Sequence, residues 1–231
     1  PRMTAMQSQA AVNPIPPVIV LLCLIVVGVE LVLTAAGAGM IGGAQGIGWR
    51  IAAMQDYGFS PVVLDRVIAV GDTSFGLLKR FVTYGFVHGS FTQALFAAAL
   101  LLALGKFVGD VFRATSVLIV FFGSLIIGAV VFGIFVDGNT PLLGIYPAVY
   151  GLIGAYTYIL WTHLGANGQS QVQAFKLIGV LLGLQLVFGL IFGNNPAWIA
   201  ELTGFVFGFG ISVVVAPGGW TALVAKLRER S

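Results

Sequence analysis

The stretch Gly144-Ile145-Tyr146-Pro147-Ala148-Val149-Tyr150-Gly151-Leu152-Ile153-Gly154-Ala155-Tyr156 decides how this chain is read. It opens a hydrophobic segment whose small residues can pack against neighbouring helices, and it carries a polar phenol near its start. Lipid gives no hydrophobic driving force between helices, so helices that associate in a bilayer use small residues that let backbones approach. This opening is unusual for a lipid-facing helix. It suits the inside of a membrane protein, where a buried site would lie.

Composition extends that reading to the whole chain. Of 231 residues, 58% are hydrophobic and only 8% charged, with a mean hydropathy of +1.02, whereas soluble domains carry about 25% charged residues. The chain is therefore expected to be an integral membrane protein, all-α, with several spans, short loops and no room for a separate soluble domain. Its 32 glycines fit closely packed helices. The net charge of +3 comes from scattered basic residues, which read as topology determinants and not as a nucleic-acid surface. One cysteine, Cys23, in an apolar run, leaves no internal disulfide and no thiolate metal cluster. No phosphate-binding, dinucleotide or metal-ligand motif is present, so no cofactor and no metal are expected.

Hydrophobic runs place six spans at about 14–36, 81–104, 114–135, 143–163, 175–192 and 198–215 in one membrane domain, 1–231. The Pro14-Ile15-Pro16-Pro17 cluster starts the first, since proline costs nothing at a helix start. The polar residues through Asn13 do not read as a cleavable signal, because the apolar run after them is long enough to span. Glu30 lies near the end of that run, where it can reach headgroups or a polar partner. The long first loop holds two short amphipathic helices, Trp49 to Tyr57 and Pro61 to Ile68, expected to rest partly in the membrane surface. Asp137-Gly138-Asn139-Thr140-Pro141 and Gly193-Asn194-Asn195-Pro196 read as turns. Six spans put both termini on one side. Arg2, Lys106, Arg113, Lys176, Lys226, Arg228 and Arg230 fall on that side, against Arg50, Arg66, Lys79 and Arg80 opposite. The bias predicts cytoplasmic termini, in a bacterial inner membrane.

Three segments resemble the rhomboid family of intramembrane serine proteases. Ala148-Val149-Tyr150-Gly151-Leu152-Ile153-Gly154-Ala155-Tyr156 is similar to the run that follows the family's Gly-x-Ser-Gly. Lys79-Arg80-Phe81-Val82-Thr83-Tyr84-Gly85-Phe86-Val87-His88-Gly89-Ser90 resembles its Trp-Arg-x-x-Thr-x-x-Phe-x-His-Gly-Ser start of the second span. Ala200-Glu201-Leu202-Thr203-Gly204-Phe205-Val206-Phe207-Gly208 looks like its Ala-His-x-Gly-Gly-x-x-x-Gly. The resemblance implies a rhomboid-like bundle of six transmembrane helices with a long, partly embedded first loop. It also implies packing roles for Gly151, Gly154, Gly204 and Gly208.

The chemical positions depart from the family. Tyr146, followed by Pro147, stands where the resemblance puts the nucleophilic serine, and Glu201 where it puts the general base. Gln93 and Ala97 replace the residues that hold the oxyanion. A phenol of pKa about 10 beside a far less basic carboxylate is a poor nucleophile–base pair, and losing one oxyanion donor costs about 100- to 1,000-fold. Ser90 and Thr92 have only His88 near them in sequence, which the resemblance treats as structural. His163 is expected in a loop at the other side of the membrane.

These residues predict no catalysis, hence a pseudoprotease that binds transmembrane segments of other membrane proteins, in contact with lipid. The competing readings are an accessory subunit of a large membrane complex and an intramembrane hydrolase with a relocated nucleophile. A hydrogen bond from the Tyr146 hydroxyl to Glu201, tying the fourth span to the sixth, is a further expectation.

Overall fold

The computed structural model describes residues 14–192 and 195–219. Arg2, Lys226, Arg228, Arg230 and the turn residues Gly193 and Asn194, all used in the topology argument, lie outside the described residues.

The described chain is helical, with no strand, and six helices of 17 to 22 residues dominate it. They are α1 (Pro17–Gly37), α7 (Phe91–Gly109), α8 (Ala114–Phe135), α9 (Tyr146–Ala166), α10 (Lys176–Phe192) and α11 (Trp198–Val215). Between α1 and α7 run five short helices: α2 (Gly43–Gly46), α3 (Trp49–Tyr57), α4 (Pro61–Ala69), α5 (Phe75–Leu78) and α6 (Arg80–Thr83). Four helices, α1, α7, α8 and α11, are long and apolar enough to cross a membrane. α9 is less apolar for a physical reason. Every residue from Pro147 to Ala155 is buried in protein, so its interior positions need not dissolve in lipid.

The expected second span begins ten residues later than the sequence suggested. Residues 81–90 are not the first turns of α7: α6 passes into a 3-10 turn, Tyr84–Phe86, and then into extended backbone at Val87 and Ser90. Ser90 caps α7, its Oγ accepting from the Gln93 N–H at 3.2 Å. Local side-chain bonds of this kind offer the backbone an alternative to continuing a helix. The two loop helices stand at the predicted places.

Two contacts tie the first loop to the helices around it, and one ties it to itself. Phe59 and Leu142 exchange backbone hydrogen bonds of 3.3 and 2.8 Å, linking the loop to the α8–α9 connection. Thr83 donates to the Tyr57 carbonyl at 3.0 Å. The buried Tyr84 hydroxyl donates to the Leu125 carbonyl of α8 at 2.9 Å.

Candidate functional site

The site is built where the starts of α7, α9 and α11 meet. α11 lies against α9 along a seam of small residues. A methyl group at Gly204 would run into the Pro147 carbonyl, one at Gly208 into the Gly151 carbonyl, and one at Gly154 into the Phe205 carbonyl. On the third side, a methyl at Gly151 would meet the Ser124 hydroxyl of α8, which donates to the Gly204 carbonyl at 3.3 Å. Backbone-to-backbone approach of this kind is what small residues permit. It fixes Tyr146 and Glu201 at neighbouring helix starts.

Tyr146 is the first residue of α9 and Pro147 the second. Pro147 has no N–H, so this helix start presents one backbone donor fewer to a developing oxyanion. The Tyr146 hydroxyl donates to the main-chain carbonyl of Gln93 at 3.2 Å. This corrects the expected bond to Glu201: the phenol's single proton ties α9 to α7, not to α11. Glu201, largely buried in the first turn of α11, lies within electrostatic reach of both Tyr146 and Tyr150. The carbonyl that takes the phenol's hydrogen bond is no general base.

Gln93 is committed to the start of its own helix. Its N–H bonds Ser90, and its Oε1 accepts from the Gly89 N–H at 2.9 Å. Together these resemble a reciprocal capping box. Ala97, one turn further along α7, is fully buried and has no side-chain donor. The structure thus brings together Tyr146, Gln93 and the Pro147–Gly204 contact.

His88 forms the floor of the site. Its side chain is fully buried, and its Nε2 accepts from the Ile145 N–H at 3.4 Å, which leaves the proton of the neutral ring on Nδ1. Gly144, at φ +88°, brings its Cα against the ring, where a side chain would meet the imidazole at 3.0 Å. Burial pushes the imidazole down to about 4; Glu30 acts the other way and Arg50 in the same direction.

Behind His88 is a cluster that the sequence reading did not join. Arg50, from α3, donates from Nη2 to Glu30 Oε1 at 2.6 Å and from Nη1 to Oε2 at 3.1 Å. It also donates to the His88 carbonyl at 2.8 Å and to Thr34 Oγ1 at 3.2 Å, while Thr34 donates to Glu30 at 2.8 Å. The Glu30 side chain is 4% exposed and that of Arg50 22%. A signal for this pair existed: Arg50 is the first basic residue after Glu30 in the chain, and an acid inside a membrane protein calls for a partner. The cap was legible too, in Ser90-Phe91-Thr92-Gln93.

The rhomboid domain model matches residues 76–218, more than half of the chain. The chain belongs to the rhomboid family. The match begins at α5 and runs to the end of α11, so it includes every residue of the site except the Glu30–Thr34–Arg50 cluster behind it. None of the curated proteins matches the chain.

Proposed function

We propose that this rhomboid-family protein has lost proteolytic activity and works by binding transmembrane segments of other membrane proteins, as an adaptor or an accessory subunit. The observation that carries the reading is the bond from Tyr146 to the Gln93 carbonyl. The residue at the nucleophile position spends its hydroxyl on fixing two helix starts, and its bulk stands where a substrate backbone would approach. Pro147 and Ala97 remove further donors from the same place. The six long helices serve as six spans, with both termini in the cytoplasm of a bacterial cell, the orientation favoured by the distribution of lysine and arginine. A partner helix finds open apolar surface on α10, where Val180, Leu184 and Val187 are exposed.

The test is labelling of the purified full-length protein with a fluorophosphonate probe. No labelling above that of the heat-denatured protein is expected. Labelling that disappears when one serine is replaced would overturn the proposal in favour of a hydrolase with a relocated nucleophile.

A further inference from the structure

At the rim of the first loop, two arginines line one open hollow of about 220 Å³. Arg66 comes from α4 and Arg80 from α6; Ser60 and Asn139 line the same hollow, with Val63 and Leu77 supplying apolar wall. No carboxylate lines it. Among the described residues neither arginine makes a salt bridge, and the Arg80 Nε is buried with no hydrogen-bond partner. Asp72 lies within electrostatic reach of Arg66 and accepts from the Ser74 N–H at 3.0 Å. Ser60 precedes α4 but makes no side-chain cap bond to it, so its hydroxyl is not engaged there.

Two like charges beside one hollow repel each other, and a buried donor without a partner carries its full desolvation cost. An anion in the hollow relieves the repulsion between the two arginines. The planar fork of arginine matches the oxygens of a phosphate and binds it through paired charge-assisted bonds. The volume lies below the roughly 300–1,000 Å³ of drug-sized sites and suits a single headgroup. Beside the cavity, the chain from the end of α4 into α5 exposes Ile68, Val70 and Phe75, at 70%, 76% and 82%. Apolar side chains flanking basic ones are the pattern of a segment resting in a membrane interface.

We propose that Arg66, Arg80, Ser60 and Asn139 form a binding site for the phosphodiester of an anionic phospholipid headgroup, which holds the first loop on the bilayer surface. The two arginines engage the phosphate oxygens, Ser60 and Asn139 supply neutral donors, and Val63 and Leu77 face the glycerol end. Free phosphate shares the anion chemistry but gains nothing from the apolar wall and the exposed loop residues.

Native mass spectrometry of the full chain in a neutral detergent tests this, with palmitoyl-oleoyl phosphatidylglycerol, the corresponding phosphatidylcholine, and inorganic phosphate as separate probes. One phosphatidylglycerol per chain should be retained in preference to phosphatidylcholine. Arg66→Gln should weaken that retention by about tenfold or more, the scale of one charge-assisted bond. The Arg66→Gln/Arg80→Gln double variant should abolish it, and Arg66, being exposed, gives a variant whose folding is not at stake if the double variant fails. Lys106→Gln, at the far end of α7, should change nothing. Unchanged retention by Arg66→Gln, or an equal loss from Lys106→Gln, would overturn the site. Inorganic phosphate that binds as tightly and displaces the lipid would overturn the lipid assignment.

Discussion

His88 is the residue whose chemistry most clearly separates structure from catalysis. It is a histidine in a rhomboid-family site, yet it stands as a buried neutral acceptor for the Ile145 N–H. Its pKa is lowered from 6.5 to about 4 by burial. Above 6.5 the ring is neutral in both folded and unfolded chains, and it contributes no pH dependence. Between 6.5 and 4 the unfolded chain takes up a proton that the folded one refuses, so stability falls as pH falls; below 4 both are protonated and the loss is complete. The loss amounts to roughly 3 kcal/mol. Thermal unfolding in detergent should therefore show a melting temperature that declines through this window, and a His88→Gln variant should lack that part of the decline. Matching pH profiles would refute the assignment. The sequence marked His88 as structural through its resemblance, but its partner comes from 57 positions away, beyond the reach of any local pattern.

At the scale of elements, the interest lies in how the first loop is fastened. α3 is too short to be stable alone, since isolated helices below about 12–15 residues are marginal, and none of its side chains is fully buried. Arg50 supplies an anchor by reaching Glu30 and Thr34 on α1 and the His88 carbonyl ahead of α7. Breaking a buried pair from one side costs about 3–5 kcal/mol because a charge is left unpaired. Arg50 is 22% exposed, so Arg50→Gln is expected to cost less, about 2 kcal/mol. Replacing both residues by methionine should recover part of that loss, since an apolar pair leaves no stranded charge. Thermal unfolding reads the first effect and the recovery; equal melting of Arg50→Gln and wild type would show that the pair holds nothing. The glycine-rich stretch from Gly37 to Gly48 should become more readily cut by protease in Arg50→Gln. The amphipathic pattern located α3 and α4, but not which side chain on α3 turns inward.

For the whole molecule, orientation is the property on which the proposed function leans. The connection holding Asn139 and the one holding Gln169 lie at opposite ends of α9, and both positions are exposed. The chain's single cysteine, Cys23, is buried, so introduced cysteines can be read against a low background. A membrane-impermeant maleimide should label Asn139→Cys in intact cells and Gln169→Cys only after permeabilisation. The reverse pattern would invert the topology, and labelling of both from outside would rule out α9 as a span.

By itself the sequence determined the membrane character, the helical architecture and the membership of the family. Each of these is carried by composition, by local periodicity or by a short run such as Ala148 to Tyr156. Tertiary structure decided the rest. The second long helix starts at Phe91 because Ser90 and Gln93 cap it there, and the Tyr146 proton goes to Gln93 because α7 and α9 begin side by side. Glu30 meets Arg50 because the first loop folds back over α1. Each of these outcomes depends on distance between groups far apart in the chain, and spacing along a sequence does not encode that distance until the helices have packed.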